Sequence, residues 1–187
     1  MSFRVAIGCL LALAAAGCTK ESATPEQANA VAPSPDEAAP RAPGPKAGTV
    51  DRGHRGEAAP AGGLTDATGK PATLAGYRGK PVLVNLWATW CAPCVAELPT
   101  LDGTAARVAT VVLNQGEEPG KVGPFLAKAK LKHVRPLIDP AMAWSLALGV
   151  NLPTTILYDG AGKEVWRVSG GRDWASVESR RLIDEAR

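Results

Sequence analysis

The 187-residue sequence predicts an α/β protein built on a central mixed sheet, and three observations carry that reading. Strand-like and helix-like segments alternate from Gly63 to the C-terminus. VLVNLWA (Val82 to Ala88) is mostly apolar on both faces, as a strand in the middle of a sheet must be. Asp159-Gly160-Ala161-Gly162 separates two adjacent strand-like runs and so predicts a terminal antiparallel hairpin.

The chain begins with a segment of another kind. Arg4 is followed by the apolar run VAIGCLLALAAAG (Val5 to Gly17), too short for a bilayer span of ~20 residues. Residues 1–17 are therefore expected to be an export signal. The ending AAGC resembles the lipobox of bacterial lipoproteins, with Ala15 where that pattern prefers leucine, and the resemblance implies cleavage before Cys18 and acylation of that cysteine. Ordinary cleavage at Ala14 to Ala16, giving a free secreted protein, is the other reading.

Residues 18–60 hold seven of the 16 prolines, and no aromatic residue stands between Phe3 and Tyr77. Such a composition cannot bury enough apolar surface to offset its ordering entropy, so this segment is expected to be a disordered tether. Its ~40 residues reach roughly 35 Å as a coil and up to about 120 Å if extended.

Residues 61–187 form the predicted domain. Two weak strands flank a turn at Asp66 to Lys70, an N-terminal β-hairpin extension punctuated by Gly69 and Pro71. After the central strand a helix is expected from about Ala92, then a core strand at VATVVLNQ (Val108 to Gln115). Pro124 suits the first turn of a helix running to about Lys130. Asp139-Pro140 suits the start of another, closed by Gly149. TTILYDG (Thr154 to Gly160) and KEVWRVSG (Lys163 to Gly170) form the hairpin, and Asp173 is a cap for a last helix with Trp174, Val177, Leu182 and Ile183 on one apolar face.

Cys91 and Cys94 sit where the central strand gives way to a helix, at the sheet edge where α/β proteins usually bind ligands. A structural zinc site needs four ligands. The remaining cysteines, Cys9 and Cys18, belong to the leader and its cleavage point, and His54 and His133 stand in the tether and a distant segment. A disulfide staple gains most from a long loop, and this spacing closes almost none. Redox exchange remains. At a helix N-terminus free N–H groups and the helix dipole favour a thiolate, which makes Cys91 the expected nucleophile. Cys94, within the first turn, is the resolving thiol. Pro93 stiffens the turn where a missing N–H costs little.

WATWCAPC after an apolar strand, with LPTT (Leu152 to Thr155) before the next one, resembles the thioredoxin fold. GKPVLVNLWATWCAPCVAELPTL is especially similar to the TlpA-like and ResA-like branch, membrane-tethered thiol-disulfide oxidoreductases of bacteria. The resemblance covers the chain from about Gly63 onward and implies a thioredoxin-like three-layer sandwich. It also implies a cis bond before Pro153, a Leu152 backbone able to pair with a bound peptide, a kink at Pro99, and Trp90 over the thiols. The residues alone leave Pro153 open as a trans proline beginning an edge strand and Trp90 as a core tryptophan; Trp87 is expected in the core. Asn85 stands where thioredoxins carry a buried aspartate, and the branch often has a glutamate at the position of Glu97. Three residues after Cys94 on one helix face, Glu97 is either the proton acceptor for the resolving thiol or a solvated glutamate.

The resemblance further implies a reductase on the periplasmic or extracytoplasmic side of a bacterial envelope, lipid-anchored, fed by a transmembrane electron donor. Its protein disulfide substrates would be heme-binding cysteines of apocytochromes c or thiols of copper-delivery and oxidase-assembly proteins. No cofactor or metal is expected. A net charge of +3, from 21 basic and 18 acidic residues interspersed along the chain, gives no basic face for nucleic acid. Glycine-rich pieces such as GGL lack the spacing of a phosphate loop, and no Ser-His-Asp set is visible. Two other readings stay open. A copper-binding assembly factor would use the two thiolates, helped by Met142 or His133. A thiol peroxidase of the peroxiredoxin type would favour a threonine where Ala88 stands.

Overall fold

A computed structural model describes residues 48–186. The leader, Cys18 and residues 18–47 of the expected tether lie outside the described residues, as does Arg187. Among the described residues seven strands form one sheet: β1 Thr49–Asp51, β2 Thr65–Asp66, β3 Val82–Trp87, β4 Ala109–Gln115, β5 Arg135–Asp139, β6 Thr154–Tyr158 and β7 Glu164–Ser169. Their order is β1-β7-β6-β3-β4-β5-β2. β3, β4 and β5 run parallel, and β6 pairs antiparallel with both β3 and β7. The helices are α1 Ala92–Thr104, α2 Pro119–Ala129, α3 Ala143–Leu148 and α4 Val177–Ile183, with a 3-10 turn at Leu74–Tyr77.

Alternation along β3 sorts the core into two halves. Leu83 and Trp87 face one side, where α1 contributes Leu98 and Leu101, α2 Val122, and α4 Leu182 and Ile183. Val82, Val84 and Leu86 face the other, against Trp144 of α3, Leu64, and the partly buried Leu74 and Tyr77. The result is the three-layer sandwich expected. Four of the five tryptophans are fully buried, each removing about 200 Å² from water, or about 5 kcal/mol as an upper bound. Trp166 and Trp174 stack at 6.2 Å, and Trp87 meets Phe125 at 5.5 Å.

Several boundaries differ from the sequence expectation. Residues 48–60, assigned there to the tether, are part of the folded domain: β1 extends the sheet beyond β7, Val50 packs on the core, and Gly48 N–H donates to the Ser169 carbonyl. An open sheet edge satisfies such a short strand through its backbone, which composition does not reveal. His54, placed in the tether, lies 3.0 Å from the Glu57 carboxylate. The turn at Asp66 to Lys70 forms, with the Asp66 carboxylate accepting from Thr68 and Lys70, but its flanks are the two-residue β2 and a single bridge at Pro71. β2 joins the far edge, on β5.

α2 starts at Pro119, with Pro124 inside it, because Pro119 takes the first-turn position. β5 was not expected; it runs parallel to β4, and the loop leading to it is held by Asp102 Oδ1, which accepts from the N–H groups of Lys132, His133 and Val134. α3 begins at Ala143 instead of Pro140, and the Asp139 carboxylate reaches forward to the Trp144 N–H. Ser176, not Asp173, caps α4. Trp174 precedes that helix, and Val177 is 57% exposed, so the apolar face is Leu182 and Ile183 alone.

Candidate functional site

β3 ends at Trp87 and the chain turns through Ala88, Thr89 and Trp90 into α1, whose N-cap is Cys91. Cys91 N–H donates to the Ala88 carbonyl, and Val95 N–H to the Cys91 carbonyl, so the first turn of α1 closes on the cysteine itself. Cys91 and Cys94 are joined as a disulfide with Cα atoms 5.3 Å apart. Cys91 is 5% exposed and Cys94 fully buried, an order that suits an outer attacking sulfur and an inner resolving one. Pro93 lies in the first turn of α1 and Pro99 inside the helix, each without an N–H to give.

Beneath the pair lies a buried polar network. Glu97 is 4% exposed, which excludes the solvated reading. Its Oε1 accepts from Asn85 Nδ2 at 2.7 Å, and its Oε2 from the Arg172 N–H at 3.0 Å and Trp174 Nε1 at 3.1 Å. Burial pushes the carboxyl above the ordinary glutamate range, and the donors from Arg172, Asn85 and Trp174 pull it back only in part. Asn85 Nδ2 also donates to Thr155 Oγ1 across the β3–β6 pair at 2.9 Å, while its Oδ1 has no partner among the described residues.

A second buried carboxylate fixes the turn before Cys91. Glu117 accepts from both the N–H and the hydroxyl of Thr89 at 2.7 Å, from Asn114 Nδ2 at 2.8 Å, and pairs with Lys121. Burial alone would raise its pKa, but Asn114, Lys121 and Thr89 together hold it down at about 2.

The Leu152–Pro153 bond is cis. Leu152 packs against the cluster containing both cysteines, and Pro153 is buried. The loop after β7 links these parts: Gly170 N–H donates to the Pro153 carbonyl, and Gly171 lies against Pro93. Trp90 is 66% exposed, so the core alternative does not hold for it, whereas Trp87 is fully buried as expected. His133 and Met142 lie on the β5 approach and the α3 cap, away from the cysteine turn in sequence and element. Among the described residues no three His, Cys, Asp or Glu side chains gather as a metal site.

Sequence reasoning missed Thr89, Glu117, Thr155, Arg172 and Trp174. Thr89 lies inside WATWCAPC and Thr155 inside LPTT, and register could have found both. Arg172 contributes a backbone N–H to Glu97, which any residue type but proline would provide.

This fold and this pair define a class, the thioredoxin-fold proteins that carry a Cys-x-x-Cys disulfide at the start of a helix. The chain belongs to the Redoxin family, whose model matches residues 54–179. It is 37% identical over 94 residues to the thiol:disulfide interchange protein HelX of Rhodobacter capsulatus, a match covering 49% of this chain and 53% of that protein. It thus spans about half the length of that relative. To the thiol-disulfide oxidoreductase ResA of Bacillus thuringiensis it is 33% identical over 130 residues, covering 66% of this chain and 74% of ResA. Among solved structures, a thiol:disulfide interchange protein DsbE from Chlorobium tepidum superposes with a TM-score of 0.63 at 27% identity, over 71% of this chain and 96% of its own.

Proposed function

We propose that the chain is an extracytoplasmic thiol-disulfide oxidoreductase that reduces protein disulfides and is held to the envelope by a lipid on Cys18. The observation that carries this reading is the Cys91–Cys94 disulfide at the start of α1, with the buried carboxyl of Glu97 one turn below the inner sulfur. In the reduced protein the Cys91 thiolate attacks a substrate disulfide. A Cys91–substrate bond forms, and one substrate sulfur leaves as thiolate. Cys94 passes its proton to Glu97 and attacks Cys91 Sγ, which breaks the mixed disulfide and releases the second substrate thiolate. Two electrons have moved to the substrate, and a dithiol donor must return the oxidised pair to its starting state.

Glu97 suits the proton step because three donors face its carboxylate while burial raises its proton affinity. Leu152, before cis-Pro153, offers backbone for an extended client, and exposed Trp90 offers an apolar surface beside Cys91. Apocytochrome c cysteines and copper-delivery thiols are the substrate classes the family resemblance implies, with a transmembrane dithiol carrier as donor.

The test is a Cys94→Ala variant of the full chain with a reduction potential for the wild-type couple. A mixed disulfide on Cys91 is expected to accumulate, with a potential nearer about −250 mV than the −120 mV of strong oxidants. Peroxide turnover, or Cu(I) retention without any captured client, would overturn the proposal in favour of the peroxidase or the copper factor.

A further inference from the structure

The loop from Gly170 to Trp174 touches three parts of the site, Pro153, Pro93 and Glu97. Gly170 N–H bonds the Pro153 carbonyl, Gly171 packs on Pro93, and Arg172 N–H and Trp174 Nε1 both donate to Glu97 Oε2. The side chain of Arg172 points elsewhere: Nη1 donates to the Gly48 carbonyl at 2.9 Å, Nε to Ser179 Oγ at 2.8 Å, and Nη2 pairs with Glu178 at 3.0 Å. Gly48 in turn donates its N–H to Ser169, one residue before the loop. One guanidinium therefore ties the start of β1 and the first turn of α4 to the loop whose backbone holds Glu97. Arg172 is half-buried and its fork is planar, so its three bonds fix one loop conformation instead of a family of them.

Resting on the oxidoreductase reading above, we infer that Arg172 is a positioning residue for Glu97, and that Gly48, which leads into β1, completes the active site by anchoring Arg172. Gly48 lies at the site end of the sheet, since its neighbour Thr49 pairs with Ser169, which pairs with Thr154 beside Pro153. The groups facing the Glu97 carboxyl are Asn85 from β3, itself bonded to Thr155 of β6, and Arg172 N–H and Trp174 from the loop; Cys94 lies one turn before it on α1. The charged part of Arg172 is engaged by Gly48, Ser179 and Glu178. Its influence on Glu97 thus passes through the loop backbone. Freeing the loop weakens a bond that favours the ionised carboxyl, so the proton is held to higher pH.

The experiment is a two-by-two set in the full chain: wild type, Arg172→Met, Glu97→Gln and the double variant. Each is read by the pH profile of insulin-disulfide reduction from about pH 5 to 9. Arg172→Met is expected to move the Glu97-dependent midpoint upward by about one pH unit. Adding Arg172→Met to Glu97→Gln should move nothing further. Hydrogen exchange of residues 48–51 and 170–174 should quicken together in Arg172→Met. Arg172→Lys, which keeps the charge and loses the fork, should restore part of the midpoint, and it decides the question if Arg172→Met does not fold. A profile for Arg172→Met that overlays wild type while that of Glu97→Gln departs, or equal shifts with and without Glu97, would overturn the inference. A Glu97→Gln profile identical to wild type would instead remove the proton-acceptor role itself.

Discussion

Replacing Asn85 by aspartate tests the polar network at its centre. Asn85 Nδ2 lies 2.7 Å from Glu97 Oε1, with Asn85 fully buried and Glu97 4% exposed. Asn85→Asp puts a second carboxyl at that distance, and two buried carboxylates so close cannot both ionise. The folded variant must retain one proton well above the pH at which the unfolded chain releases it. With folded pKa raised above unfolded, stability is kept below the unfolded value and lost as pH rises toward the folded one. A rise of about 2–3 pH units for the shared proton amounts to about 3–4 kcal/mol of stability lost between about pH 4.5 and 7.5. At an m-value of about 1.5 kcal/mol/M, the urea midpoint should fall by roughly 2 M more at the higher pH than at the lower. Urea titrations of the oxidised protein, followed by tryptophan fluorescence, measure this directly. The double variant Asn85→Asp/Glu97→Gln should lose most of the pH dependence. If Asn85→Asp destabilises equally at both pH values, the two side chains are not in contact and the network described here is wrong.

Three further outcomes are expected. Glu97→Gln should slow disulfide exchange by about tenfold, on the scale of general-base effects, and flatten the part of the stability curve that falls as pH rises above the ordinary glutamate range, both measured on the full chain. Glu117 has the opposite sign: its folded pKa of about 2 lies below the usual 4.5, so its stabilisation is present above the latter and lost as pH falls toward the former. Glu117→Gln should remove up to about 3 kcal/mol of acid-labile stability, visible as a flatter urea midpoint between about pH 5 and 2. Trp90→Ala should change stability by no more than about 0.5 kcal/mol, as the ring is 66% exposed, yet slow reduction of protein substrates several-fold while sparing small disulfides; equal slowing of both would deny it a client surface.

The parts of the fold legible in the sequence are those whose side chains carry the structural information. β3 is an apolar run buried on both faces, so hydrophobicity reveals it, and β6 and β7 are revealed together by the Asp159 to Gly162 turn between them. β1 and β2 are edge strands of three and two residues, held by backbone pairing to which many sequences are equal. β5 contains Pro136 and begins with exposed Arg135, so its first half looks like a loop until β4 supplies a partner. The site divides in the same way. Cys91 and Cys94 are legible because their spacing at a strand-to-helix turn fixes their relation, whereas the family resemblance marks out Asn85 and Glu97, with the spacing from Cys94 placing Glu97 on the same helix face. Arg172 is not, because its bond to Glu97 comes from a backbone N–H 75 residues away, and only the fold brings it there.

Two buried glutamates flank the cysteine turn, and their surroundings send them in opposite directions. Glu117 has Lys121 against it and donors on both oxygens, so its charge is fully compensated and the group stays ionised at any pH where the protein works. It anchors Thr89 and with it the turn into Cys91. Glu97 has three neutral donors and, among the described residues, no cation, so ionising it leaves a charge that burial opposes, and its proton affinity rises. The same side chain is thus a fixed support at Thr89 and, in the proposed mechanism, a proton-exchanging group behind Cys94, and a lysine four residues on from Glu117 is what separates the two. Among the described residues no cation like Lys121 pairs with Glu97; one placed there would hold the carboxylate down and remove its affinity for the proton it is proposed to receive from Cys94.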